Sequence, residues 1–187
     1  SSFFNYDYKS RYIFEANLRA DGSSRFAPGH RWGFFPSFSA AWRISEEPWF
    51  KVSAIDNLKL RASWGKLGNN AVGDYATQLL YERRNYVFGG TARPGAGISA
   101  IVNDDLTWES SQSFNAGVDF ELFAGYLSGS IEYFSRRTTD LLYSKDVPLS
   151  SGNPTGYYPV NVGSILNRGF EASLYGDIFS TRNVQWT

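Results

Sequence analysis

Cysteine and methionine are absent from this 187-residue chain, and histidine occurs once, at His30. Without cysteine there is neither a disulfide scaffold nor a thiolate metal site. The single histidine falls in loop sequence with no evident orienting partner, so a Ser/His/Asp nucleophile system has no basis. Long apolar runs are missing and the mean hydropathy is -0.34. That excludes a transmembrane helix but not a transmembrane barrel, whose strands alternate and average to neutral hydropathy. Net charge is also lacking: Lys+Arg and Asp+Glu each number 18, so no overall field attracts nucleic acid or an anionic surface. The Gly-rich stretches Gly89-Gly90 and Gly95-Ala96-Gly97 lack the Lys and Ser/Thr of a phosphate loop, and no cofactor motif replaces one. Helical periodicity occurs nowhere.

What is present is aromatic side chains, 18% of the residues, written in a two-faced code. From Arg31 to Ser45 the sequence is RWGFFPSFSAAWRIS. Trp32, Phe34, Pro36, Phe38, Ala40, Trp42 and Ile44 share one face; Gly33, Ser37, Ser39, Ala41, Arg43 and Ser45 share the other, with Phe35 a large apolar intruder among them. A period of two is the signature of a strand. The stretch from Trp32 to Trp42 extends about 33 Å at strand rise. Tilted by about 43° it projects to about 24 Å, close to the apolar band of about 25 Å that aromatic girdles flank in an outer-membrane barrel.

The same alternation predicts five more strands. They are Tyr8–Ala20, Leu58–Lys66, Thr107–Leu122, Leu127–Thr139 and Gly169–Ile178, with a further one beginning at Val184-Gln185-Trp186. Connections are of two kinds. Asp21–His30, Leu67–Asp105 and Ser144–Gly163 are Gly-rich or long, which suits the cell-surface side. The links near Phe123–Gly125 and Ser180–Asn183 are short and that near Glu47–Asp56 is intermediate, which suits the periplasmic side. Pro36 inside a strand requires a bulge or a locally unpaired position. The chain starts in polar sequence with no signal peptide and stops as a strand begins, so it reads as a fragment of a longer protein. The fold class is therefore all-β, a segment of an antiparallel transmembrane barrel contributing about six to seven strands.

Seven phrases in order resemble the SusC/RagA family of TonB-dependent outer-membrane transporters of Bacteroidetes-type bacteria. They are ADGSSRF (20–26), RWGFFPSFSAAWRISEE (31–47), LKLRASWGKLGNN (58–70), GDYA (73–76), LTWESSQSFNAGVDF (106–120), GSIEYFSRRTTDLL (129–142) and NVGSILNRGFEASL (161–174). The resemblance implies that residues 1–187 belong to the middle-to-late part of a barrel of about 22 strands with a plugged lumen. It further implies import of oligosaccharides or peptides with a SusD-like surface lipoprotein as lid, energy from TonB, contact with outer-membrane lipid, and room for a homodimer of the transporter–lipoprotein pair. The plug, the TonB box and the N-terminal extension of the family are not in this sequence.

Each chemical constellation has a plainer reading. Asp104, Asp105 and Glu109 could be cast as a glycosidase pair or, with Asn103, as a Ca²⁺ site. Their spacing matches no regular loop, and solvation plus a lumen-facing Glu accounts for them; neither an enzyme nor a metal site is expected. Trp32, Trp42, Trp64 and Trp108 fall on the apolar side near strand ends, where they suit a membrane interface or, equally, the core of a soluble sandwich. Loop aromatics Tyr75, Tyr81, Tyr86, Tyr157 and Tyr158, with Phe88, suit stacking on sugar rings or packing of the loops on themselves. The rival to the importer is a soluble, secreted, carbohydrate-binding β-sandwich. On the polar faces, the first three strands carry mostly basic groups (Arg11, Arg19, Arg43, Lys59, Arg61) and the last three mostly acidic ones (Glu109, Asp119, Glu121, Glu132, Glu171, Asp177). The two sets are expected to meet with Arg61 or Lys59 near Asp119 or Glu121, on the lumen side.

Overall fold

The computed structural model describes residues 1–176, 179–181 and 184–186. Its strands are β1 (Ser2–Tyr8), β2 (Tyr12–Gly22), β3 (Trp32–Arg43), β4 (Ile55–Asn69), β5 (Tyr81–Phe88), β6 (Thr91–Ile98), β7 (Glu109–Leu122), β8 (Leu127–Thr139), β9 (Leu142–Asp146), β10 (Tyr157–Asn161), β11 (Ser164–Gly176), β12 (Phe179–Thr181) and β13 (Val184–Trp186). Seven of them form one antiparallel sheet in the order β1-β2-β3-β4-β7-β8-β11; β5-β6, β9-β10 and β12-β13 are separate two-stranded ribbons. Each strand of the main sheet lies beside its predecessor in that sheet, which is the up-and-down arrangement of a barrel wall.

The registers carry the alternation across the whole sheet. One rung runs Tyr6, Phe14, Ala40, Ala62, Ala116, Tyr133, Phe170 on the apolar face. The next residue on each strand gives a rung of the other face, Asp7, Ile13, Ala41, Arg61, Gly117, Glu132, Glu171. Neither face is covered by a second layer among the described residues. Phe26, Phe35 and Leu106 are the buried hydrophobic residues, whereas Phe14, Phe38, Ile131 and Phe170 of the wall are exposed. A soluble sandwich buries one face of each sheet against the other, and no such pairing of sheets is present among the described residues.

Several boundaries differ from the sequence reading. The first predicted strand is the second arm of a hairpin, because the chain reverses at Lys9 and Ser10, both with positive φ (55° and 54°). Arg11 N donates to Tyr8 O at 3.0 Å and Ser10 N to Asp7 Oδ1 at 2.7 Å, closing the turn. The third predicted strand extends to Ile55–Asn69 and the sixth begins earlier, at Ser164. The two long connections contain the ribbons β5-β6 and β9-β10. Pro36 takes the second of the two expected forms, a locally unpaired position without a bulge. β2 and β3 stay in register through the Leu18–Pro36 pair, and the β3–β4 ladder stops at Ser37–Gly65, so Pro36 has no partner on β4. No rung to β4 therefore calls on its missing N–H. Asp177, Ile178, and residues 182 and 183 of the Ser180–Asn183 link, lie outside the described residues.

The short β1–β2 and β7–β8 turns lie with the β3–β4 link at one end of the sheet; the β2–β3 loop and the two long connections, β4–β7 and β8–β11, lie at the other. At the short end Phe123 N donates to Ala54 O at 3.1 Å and Gly125 N to Asp56 Oδ2 at 3.3 Å, tying neighbouring turns together. There Glu47, almost fully buried, accepts from Tyr12 Oη at 2.5 Å and from Trp42 Nε1 at 3.1 Å.

Candidate functional site

Two assemblies of side chains stand out, one at the long-loop end and one on the polar face. At the loop end the chain builds a small core of its own. Phe26, from the β2–β3 loop, packs on Trp108 with ring centroids 5.3 Å apart, and Phe35 meets the same indole edge-on at 5.4 Å. This explains the apolar intruder: Phe35 leaves the polar face to fill the base of the loops. Glycine makes the room, since a Cβ at Gly33 or Gly68 would lie 2.4 or 2.0 Å from the Phe35 ring. Trp108 is thereby corrected. It precedes β7 instead of lying in it, so strand alternation does not set its direction, and it joins the loop core, not the aromatic edge of the sheet.

Polar ties fasten the loops above this core. Arg25 Nε donates to Asp74 Oδ1 at 2.9 Å, Thr77 Oγ1 to Arg25 O at 3.1 Å and Asn70 Nδ2 to Ser23 Oγ at 3.1 Å. Asn161 Oδ1 accepts from Thr107 N at 2.8 Å while its Nδ2 donates to Thr107 O and Asp140 O. Fully buried Asn153 donates to Tyr157 O at 2.6 Å and accepts from Thr155 N at 3.1 Å, which shapes the tip before β10. Glu109 belongs to this scaffold as well: Leu142 N donates to its Oε2 at 3.1 Å and Asn69 Nδ2 to its Oε1 at 3.3 Å.

Between these loops lies a cavity of about 340 Å³ with a mixed polar and apolar lining. Tyr75 and Tyr157, both singled out from the sequence, line it, together with Tyr143, Asp74, Gln78 and Pro159. Tyr75 holds a positive φ of 62°, uncommon for a residue with an aromatic side chain. Tyr81, Tyr86 and Tyr158 are not in the lining. Tyr86 Oη donates within its own ribbon, to Ala96 O at 3.1 Å. The cavity's size falls within the range of about 300–1,000 Å³ for small-molecule sites. Tyrosine faces and amide or carboxylate groups around it suit hydrogen-bonding, ring-bearing or amide-bearing ligands.

On the polar face Arg61 bridges two carboxylates on two strands. Its Nε donates to Asp119 at 3.1 and 3.2 Å, and its Nη1 pairs with Glu132. Lys59 stands opposite Asp119 in register and Arg43 opposite Lys59. Arg19 pairs with Asp21 at 2.7 Å, and Glu171 stands opposite Glu132 in register. Arg19, Arg43, Arg61, Glu109, Asp119, Glu132 and Glu171 are all placed by register on the side opposite Phe38, Ala62 and Phe114. On the apolar side Trp42 stacks on Tyr12 at 6.2 Å, Trp64 stacks on Phe38 at 6.0 Å, and Trp32 is 68% exposed at the loop end of β3.

Comparison with known proteins gives a consistent answer. A family model described as "TonB dependent receptor-like, beta-barrel" matches residues 2–187. The TonB-dependent receptor SusC of Bacteroides thetaiotaomicron is 38% identical over 97% of this chain and 18% of its own length. The TonB-dependent receptor P39 of Formosa agariphila is likewise 38% identical, over 97% of this chain and 17% of its own. The RagAB peptide importer in its closed-closed state superposes with a TM-score of 0.84 at 31% identity, covering 96% of this chain and 19% of that one. The siderophore receptor PirA from Pseudomonas aeruginosa shares the fold alone, at 16% identity and a TM-score of 0.56 over 90% of this chain and 29% of its own. The chain thus spans about a fifth of the length of the curated relatives it matches, between 17% and 19%.

Proposed function

Because this chain belongs to the TonB-dependent receptor-like β-barrel family, we propose that it forms one section of the wall of an outer-membrane nutrient importer. The observation that carries the reading is the register: through the middle of the seven-stranded sheet the rungs keep an aromatic and aliphatic face apart from a face that carries Arg61, Asp119 and Glu132, with no second layer on either face among the described residues. Such a sheet is stable where lipid takes the apolar side and a polar lumen the other. The short turns then face the periplasm and the loop core with its cavity faces the cell surface. Trp32, Trp42 and Trp64 serve as interface anchors, and the charges from Arg19 to Glu171 line the lumen. Residues 1–187 are barrel throughout; the plug, the TonB-coupling segment and the N-terminal region of the full protein lie elsewhere in it.

The cargo is an oligosaccharide or a peptide, released from a SusD-like lipoprotein and drawn inward by TonB, with the transporter–lipoprotein pair available to dimerise. Support comes from the likeness to SusC and to the RagAB peptide importer, and from Tyr75, Tyr143 and Tyr157 around the loop cavity. On the lumen side, Glu121 and Glu171, which Arg61 does not neutralise, hold a basic surface of the plug. The experiment is uptake by cells carrying the full-length protein and its lipoprotein, given fluorescent oligosaccharides in one arm and fluorescent peptides in the other. Uptake of one class, abolished without TonB, is expected. A full-length protein that fractionates as soluble without detergent overturns the wall reading, and TonB-independent entry overturns the import mechanism.

A further inference from the structure

On the apolar face the rungs enclose a bowl. Its floor is Ala40, Ala62 and Ala116, three adjacent strands each contributing a methyl group. Phe14 stands on one side of that row and Tyr133 on the other, with Phe170 beyond, packed on Tyr133 at 5.1 Å. One rung toward the loops the same three strands carry Phe38, Trp64 and Phe114; one rung toward the turns they carry Trp42, Leu60 and Val118. Phe14 and Tyr133 at the flanks and Trp42, Leu60 and Val118 on the turn side line a depression of about 690 Å³ over the alanines, its walls almost wholly apolar atoms; the Phe38, Trp64 and Phe114 row stands outside that lining.

A second observation says what fills it. Directly below the bowl, in the β1–β2 turn, lie two cations. Arg11, expected from strand parity on the lumen side, precedes β2, where parity does not apply, and sits instead beside the Glu47 that Tyr12 and Trp42 of the apolar face hold. Lys9 Nζ lies over the Tyr8 ring, 5.2 Å from its centroid. Arg11 Nη1 approaches Glu47 Oε2 at 3.9 Å. Glu47 already accepts from Tyr12 and Trp42, so Arg11 keeps donors free for another acceptor. At strand rise, the turn is about 10 Å from the alanine row. That is the separation between an apolar pocket just inside the membrane and the headgroup level, where Tyr, Trp, Lys and Arg anchor a barrel.

We propose that this face holds one glycerophospholipid of the turn-side leaflet, with an acyl chain laid in the alanine bowl and its phosphate against Lys9 and Arg11. The inference rests on the wall reading above and adds a resident lipid to it. The bowl is continuous with the membrane-facing band, and the phosphate complements the two cations of the β1–β2 turn, Lys9 and Arg11, beside the band's aromatic edge, while the turn's carboxylate, Asp7, is engaged by Ser10 N. An acyl chain lodged there fills a gap that mobile lipid would cover poorly, and side chains lining an unfilled gap forfeit their dispersion attraction on that side.

The test uses the full-length protein extracted in mild detergent, with native mass spectrometry counting bound phospholipid before and after adding dioleoyl phosphatidylethanolamine. The wild type is expected to retain one lipid that survives extraction. Ala62→Phe, which fills the bowl, lowers its occupancy about tenfold, the loss of a few buried methylenes. Lys9→Gln with Arg11→Gln lowers it about fivefold or more, one to two near-surface cations' worth. Ser63→Phe, the next residue but on the other face, leaves occupancy unchanged. Ala40→Leu repeats the bowl test with a smaller change should Ala62→Phe fail to fold, judged by heat-dependent gel mobility. Equal lipid counts in wild type, Ala62→Phe and Ala40→Leu overturn the proposal. So does a dimer that falls apart in Ala62→Phe with the lipid count unchanged, which assigns the bowl to a second copy. A full-length protein needing no detergent removes the wall reading itself; a detergent-requiring one with unchanged counts removes only the resident lipid.

Discussion

On the apolar face, Phe38 stacks on Trp64 and both remain open to whatever lies outside; on the polar face one residue along, Ser39 donates to Glu15 at 3.2 Å. The two faces share a backbone and a register, yet only the polar one is cross-linked between its own strands. Arg61, Asp119 and Glu132 satisfy one another within the sheet, and Phe35 is sealed by Phe26 and Trp108 from the loops. The apolar face leaves its largest side chains uncovered, Phe170 at 78% exposure. The difference teaches that the stability of the apolar side is supplied by the solvent it meets, while that of the polar side is local and electrostatic.

Four experiments on the full-length protein in bilayers would break or sharpen that contrast. The largest effect belongs to Phe38→Arg, which places a charge in the apolar band and should cost about 2–4 kcal/mol in denaturant unfolding. Ser39→Arg meets Glu15 and should cost much less; equal costs would mean that the faces are misassigned. Next comes Gly68→Ala, whose new Cβ would sit 2.0 Å from the Phe35 ring. Overpacking of that kind costs about 1–3 kcal/mol, and combining it with Phe35→Ala should abolish the penalty if the ring is its cause.

A double-mutant cycle on Arg61→Met and Asp119→Asn is third. Both side chains are about one-third exposed, so screening should hold the coupling to about 0.2–1 kcal/mol. A coupling well above that would show the polar face to be drier than a water-filled lumen. The smallest concerns the rim. The hydrogen bonds from Tyr12 and Trp42, with help from nearby Arg11, hold the Glu47 carboxyl below its ordinary range. A depressed carboxyl adds stability above the unfolded pKa and loses it as pH falls through the folded one. Unfolding of the wild type should therefore show an acid-side loss, below the usual carboxylate range, that Glu47→Gln lacks. Identical acid profiles would detach Glu47 from the aromatic edge.

The alternation made the wall readable, because a half-buried strand must repeat every two residues. The parity of Arg43, Arg61, Asp119, Glu132 and Glu171 follows from it, and the Arg61–Asp119 meeting follows once β4 and β7 are neighbours, whereas Lys66, Arg137 and Arg168 share the parity of the apolar face. Elsewhere the signal fails for identifiable reasons. Lys9 and Ser10 adopt the conformation that Asn-Gly usually marks, so the turn before Tyr12 left no trace in composition. β5 and β6 are exposed almost throughout, so nothing in them had to alternate by polarity. Trp108 matched the parity of Phe114, but parity has meaning only inside a strand, and β7 begins at Glu109. The loop cavity depends on how a ribbon folds back: Tyr143 and Tyr157 sit on different strands of β9-β10, and only its closure brings them to Tyr75.

The unbroken nearest-neighbour order of the main sheet has a consequence for how such proteins diversify. Because every wall strand lies against the one before it, the insertions between β4 and β7 and between β8 and β11 enter the fold as closed excursions from a finished edge. Doubling the length of such an excursion costs only about 0.6 kcal/mol in closure entropy. Lengthening, shortening or exchanging a surface ribbon therefore barely perturbs the registers beneath it. Insertions there can reshape the loop end while the pairing of the wall strands is inherited unchanged.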